Sequence, residues 1–185
     1  MKYDNKWLTD QFERDSQSVK FLYFWGHQPA KDGSITKSCF SQWWVSPFEI
    51  DGNIYSTAEH WMMACKARMF NDRQTLDKIM NAVTAPEAKK LGREVRDFNP
   101  EVWDKEKYNA VVKGNLAKFS ASEVLKEFLI KTGEQVMVEA SPVDSIWGIG
   151  LAAEDANAGN PSKWKGENLL GYALMEVRDV LNGKQ

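Results

Sequence analysis

The sequence predicts an α+β fold, a mostly helical single domain packed around a small β portion, on three observations. Ile50-Asp51-Gly52-Asn53-Ile54 has the chemistry of a hairpin turn between two strand-like runs, because Asp-Gly accommodates positive φ. After Asn99-Pro100, the residues Trp103, Tyr108, Val111, Val112, Leu116 and Phe119 recur at the helical period along one face. Residues 21–25 and 135–140 have the aromatic and β-branched content of buried strands, each followed by turn or loop chemistry. Helices packed on a few strands make an α+β domain.

Taken in order, residues 1–20 are polar and charged and form an N-terminal arm, either a short helix or a segment laid on the surface; residues 21–185 form the domain proper. Residues 21–25 are a strand and 28–34 a turn. Residues 40–55 run strand, turn, strand. Ser56-Thr57-Ala58-Glu59 is a capping box that opens a helix free of Pro and Gly as far as Phe70. Thr84-Ala85-Pro86-Glu87 repeats that signal, with Pro86 in the first turn, and opens a helix to about Val95. The long helix from Asn99-Pro100 follows, then a shorter one over 122–131 that Gly133 stops. Residues 141–165, rich in Gly, Pro, Asn and Asp, form a long structured loop. A last helix over 168–181 presents Leu170, Ala173, Leu174, Val177 and Leu181 on one face.

Composition narrows the function. The 185 residues are 43% hydrophobic, enough for a real core, yet the apolar stretches are far shorter than the roughly 20 residues a membrane span requires. The N-terminus lacks the pattern of a secretory signal, so a cytoplasmic protein is expected. Cys39 and Cys65 are expected to be reduced thiols. The only histidines, His27 and His60, have no cluster around them at ligand spacing, so neither a metal nor a cofactor is expected. A net charge of −2 with scattered basic residues argues against tight nonspecific binding to a nucleic-acid backbone and leaves room for a cationic pocket for one or two phosphates.

Three places have the residue types for chemistry. Glu59 and Lys66 are seven residues apart on one helix, about two turns, and so share a face and can line one cleft; Glu59 also suits the N3 position of the capping box, and Lys66 a solvated surface. Asp144-Ser145-Ile146-Trp147-Gly148-Ile149-Gly150 follows a strand and can present an acid, an indole and two close-approaching glycines, or form a turn around a buried Trp. Arg93 and Arg96, three apart, suit a clamp on phosphate or a charged surface, with Trp103 following.

The ordered set Ser46-Pro47-Phe48, Tyr55-Ser56-Thr57-Ala58-Glu59-His60, Lys66-Ala67, Gly92-Arg93, Trp103, Lys118-Phe119, Asp144, Trp147-Gly148-Ile149-Gly150, Trp164-Lys165-Gly166-Glu167-Asn168 and Leu170-Gly171 resembles the NADAR family. Its best-known type is the YbiA-like N-glycosidase of riboflavin biosynthesis intermediates. The resemblance runs from about residue 21 to 181. It implies hydrolysis of an N-glycosidic bond in a ribosylated, phosphate-bearing small molecule, without metal or organic cofactor. As alternatives it implies removal of ADP-ribose from guanine bases in nucleic acid, or binding of an ADP-ribose-like ligand without turnover. It implies Glu59, Lys66 and Asp144 as catalytic residues and Trp103 as a substrate contact. Trp147, Arg93, Arg96 and Asn168 complete the expected substrate-binding set. The chain departs from the family pattern at Ser41-Gln42-Trp43, where Ser-Asn-aromatic is common, and at Cys65, where glutamine often precedes the lysine; both bear on substrate choice.

Overall fold

The computed structural model describes residues 1–184. In chain order its helices and strands are α1 (Asn5–Arg14), β1 (Phe21–Phe24), β2 (Phe48–Ile50), β3 (Asn53–Tyr55), α2 (Ala58–Met69), α3 (Arg73–Met80), α4 (Ala85–Gly92), α5 (Pro100–Ser120), α6 (Glu123–Ile130), β4 (Val136–Glu139) and α7 (Leu169–Leu181). The fold is α+β. Contacts gather into two compact units, residues 1–41 with the chain from 124 onward, and residues 42–123.

In the first unit β1 and β4 pair in parallel, from Phe21 opposite Val136 to Phe24 opposite Glu139. Val136, Met137 and Val138 are all buried, as expected for a strand covered on both faces. Helix α7 packs on β4 and buries Leu170, Ala173, Leu174 and Val177. The N-terminal arm contains α1, capped by Asp4, whose carboxylate accepts from the Trp7 amide at 2.6 Å. Leu8 is wholly buried, the Tyr172 hydroxyl donates to Asn5 at 2.8 Å, and the Asn5 amide donates to the Gly166 carbonyl at 3.0 Å.

In the second unit the hairpin turns where the sequence predicts. Asp51 and Gly52 have φ of 52° and 74°, both positive, as a two-residue type I′ turn requires. Helix α2 is the centre of the unit, with α3, α4 and α5 packed against it. Ala58 to Ala64 are buried without a break. Two glycines permit this closeness: a Cβ on Gly92 would stand 2.0 Å from the Met63 sulfur, and one on Gly114 would stand 2.2 Å from the Trp61 ring.

Several local expectations are corrected. Phe40 ends a short 3-10 turn, Lys37–Phe40, rather than starting a strand. Helix α3 has no counterpart in the sequence pattern: it is short and buries only Thr75 and Ile79, so it carries little periodicity. What makes it is Asn71, at φ 56°, which ends α2 with a left-handed residue, and Asp72, whose carboxylate caps the next helix through the Thr75 amide. Helix α4 ends at Gly92, so Arg93 is its C-cap and Arg96 lies beyond it.

Asp72 also accepts from the Arg96 amide at 3.0 Å and from its guanidinium at 2.7 Å. These bonds, with Arg96 first among them, hold its carboxyl well below the usual carboxylate range. Asp72→Ala is expected to lower Tm by roughly 2 to 6 °C, through loss of a cap and an ion pair. Because the folded-state value is depressed, the stabilisation is fully present above the ordinary carboxylate range and is lost progressively as pH falls from that range to the depressed one. Melting curves at pH 7 and pH 5 should therefore show the same gap between variant and parent.

Candidate active site

Helix α2 opens with an N-cap at Thr57, whose hydroxyl oxygen accepts from the His60 amide. The Thr57 hydroxyl also meets His60 Nδ1 at 2.8 Å, while Nε2 faces the Ala82 carbonyl at 3.1 Å. A carbonyl only accepts, so Nε2 carries the proton and Nδ1 accepts from Thr57. Burial lowers the His60 pKa, consistent with this neutral ring. Thr57 and His60 thus close the helix start between them, and Glu59 sits at N2 rather than the N3 position of a capping box. Its backbone N–H donates to the Gln42 carbonyl at 3.0 Å, and its residue surface is 2% exposed. A carboxylate in the first turn is favoured by the partial positive charge of the helix N-terminus.

Two turns on, Lys66 is half-buried. Its ammonium donates to the Gly92 carbonyl at 2.7 Å and lies 3.9 Å from the centre of the Phe98 ring. Burial first, and the neighbouring Arg93 charge second, lower its pKa from the ordinary lysine value. Seven residues at 100° each return to within about 20° of the start, so Glu59 and Lys66 share one side of α2.

Elsewhere in this unit Trp103 is buried in the first turns of α5. Arg93 is exposed, whereas the Arg96 guanidinium is held by Asp72. Sequence reasoning did not single out Gln42 as a site residue. It is buried, its carbonyl accepts from the Glu59 amide, and its side-chain oxygen accepts from the Asn115 amide at 2.7 Å. The Asn115 nitrogen also donates to the Val111 carbonyl at 2.9 Å, which sets the orientation of both amides. The only signal in the sequence was that Gln42 stands where asparagine is common in the family.

In the first unit Asp144 organises the loop after β4. Its Oδ1 accepts from the Ile146 amide at 2.9 Å and the Trp147 amide at 2.8 Å, leaving the carboxylate half-buried. Trp147 is half-buried as well. A Cβ on Gly166 would approach the Gly148 carbonyl to 2.3 Å, so the two strands of this loop run backbone against backbone. Asn168 is wholly buried at φ 53°; its amide nitrogen donates to the Met137 carbonyl at 2.9 Å and its oxygen accepts from the Glu139 amide at 3.0 Å. Both ends of that side chain therefore fasten the loop and the start of α7 to β4.

The chain is similar to known proteins over most of its length. The chain is 42% identical over 168 residues to an N-glycosidase of Acanthamoeba polyphaga mimivirus, covering 88% of this chain and 97% of that one. It is 34% identical over 144 residues to an N-glycosidase of Nostoc punctiforme, covering 77% and 85% of the two chains. The NMR structure of the Escherichia coli protein YbiA superposes with a TM-score of 0.71 at 26% identity, over 89% of this chain and 86% of that one. The NADAR domain model matches residues 23–182, and the chain belongs to the NADAR family.

Proposed function

We propose that the protein is an N-glycosidase that hydrolyses the bond between a base and the ribosyl carbon of a phosphate-bearing small molecule. Ribosylaminopyrimidine phosphates of the riboflavin pathway are the type substrate. The enzyme class rests on relatives named N-glycosidases. Breaking the C1′–N bond develops positive charge on C1′ and negative charge on the departing base, so the reaction calls for an anion near C1′ and a proton for the base.

The observation that carries the reading is the pairing on α2 of a buried carboxylate, Glu59, with a half-buried amine of lowered pKa, Lys66. Glu59 stabilises the charge that develops at C1′. Lys66 is the nucleophile: its neutral amine attacks C1′, the C1′–N bond breaks, and the base leaves with a proton. This gives a ring-closed glycosylamine; the C1′–O4′ bond then opens, O4′ takes a proton, and the imine so formed is hydrolysed by water to free sugar phosphate and the lysine amine. Asp144 is proposed as the second catalytic carboxylate on the family resemblance. Trp103 and Trp147 are proposed to stack on the substrate, and Arg93, Arg96 and Asn168 to bind it. Of the two arginines, the exposed Arg93 is the readier phosphate contact, since Arg96 shares its guanidinium with Asp72.

Parallel incubation with a ribosylaminopyrimidine phosphate and with ADP-ribosylated guanosine tests this, with products identified by mass spectrometry. Free base and ribose phosphate from the first are expected. Preferential release of ADP-ribose from the second would replace the substrate assignment with the nucleic-acid one, and bound but intact ligand in both arms would overturn the enzyme reading.

A further inference from the structure

Beyond the residues assigned so far, the first unit holds a cavity of about 590 Å³, within the size range of small-molecule sites. It opens where β1 and β4 end: Tyr23 and Phe24 line it from β1, and Trp25 and Ala140 from the residues that follow β1 and β4. The space outside the carboxyl ends of parallel strands is where α/β sheets characteristically place ligands, because chain leaving the strands there is free to diverge.

The lining has a definite chemistry. Trp25 is 60% exposed, a large indole surface left in contact with solvent at the edge of a concave site, and Tyr23, Phe24 and Phe128 add further rings. Polar groups come from the segment after β1. Thr36 and Ser38 share a hydroxyl–hydroxyl bond at 2.8 Å, in which one proton is used and the other remains to be donated. The Gln28 amide nitrogen is engaged with His27 at 3.0 Å, which directs attention to its carbonyl oxygen as an acceptor. The two charged side chains of the lining, Lys37 and Glu154, are of opposite sign, so the cavity has no net charge with which to select an anion. Aromatic surface, one hydroxyl donor, one amide acceptor and zero net charge suit a flat, uncharged ring whose edge both accepts and donates hydrogen bonds.

We propose that this cavity binds a neutral planar nitrogen heterocycle, such as an aminopyrimidine, with Trp25 as its stacking surface. Stacking of a base on an aromatic side chain contributes about 1 to 3 kcal/mol, or roughly 5- to 150-fold in affinity.

Calorimetric titration of the full chain with a free aminopyrimidine base, and separately with ribose 5-phosphate, tests it. Trp25→Ala should weaken the base at least fivefold and leave ribose 5-phosphate unchanged, Trp25→Phe should recover part of the loss, and Gln28→Ala should weaken the base without affecting the phosphate. Since Trp25 is largely exposed, all variants should keep the parent Tm. Equal affinity of the base for parent and Trp25→Ala, or no binding to the parent, overturns the site.

Discussion

Glu59→Gln is expected to lower kcat by about 10² to 10⁴-fold, the range for a group that acts by charge or proton transfer in the transition state, with little change in Tm. The structural basis for separating the two effects is the helix start. Thr57 and His60 already satisfy one another there, and the Glu59 backbone contact to Gln42 does not involve the side chain. Glutamine keeps the shape of the side chain and removes only its charge. Steady-state kinetics with a thermal melt of the same preparation checks the prediction. A variant with parent kcat, or one whose activity falls only in step with its stability, would assign Glu59 to packing.

Lys66→Arg is expected to abolish activity, because a guanidinium keeps the charge but stays protonated and cannot attack C1′. In the parent, borohydride added during turnover should fix a sugar on the peptide that contains Lys66, and in the arginine variant it should not. The pKa shift adds a pH signature. Burial and Arg93 lower the Lys66 value, so the neutral amine becomes available at a lower pH than for an ordinary lysine, near 10.4. The rate should therefore rise with pH through a limb below the ordinary lysine range. Arg93→Ala, by removing the neighbouring positive charge, should move that limb upward. Substantial activity in Lys66→Arg would show instead that the residue acts as a fixed cation.

How much of this was legible beforehand differs by element. The β2–β3 hairpin and α5 were clear, since Asp51-Gly52 has turn chemistry and α5 repeats its apolar residues at the helical period. Helix α2 was visible from its start signal alone: with Ala58 to Ala64 all buried, it has no polar face for periodicity to contrast with. Helix α3 is created by two residues at its entry, Asn71 and Asp72, and by too few buried positions to register. The parallel pairing of β1 with β4 joins segments separated by the whole of the second unit, and no local pattern encodes such a partner.

For the candidate site, residue identities came from the family resemblance, and their surroundings came from the structure. Spacing placed Glu59 and Lys66 on one helix face, but could not foresee that His60 would take the capping partner's role. Nor does a linear motif reveal that Asp144 Oδ1 accepts two backbone amides, or that Asn168 spends both ends of its amide on β4. Such bonds depend on backbone brought together by tertiary structure, and sequence records only that the residues are polar.

The most direct measurement of the central claim is a single-turnover reaction with enzyme in excess over a ribosylaminopyrimidine phosphate, run with parent and Glu59→Gln after substrate affinity has been matched by calorimetry. The parent should give stoichiometric free base and ribose phosphate, and the variant should leave its bound substrate intact. Equal product from both would contradict that claim.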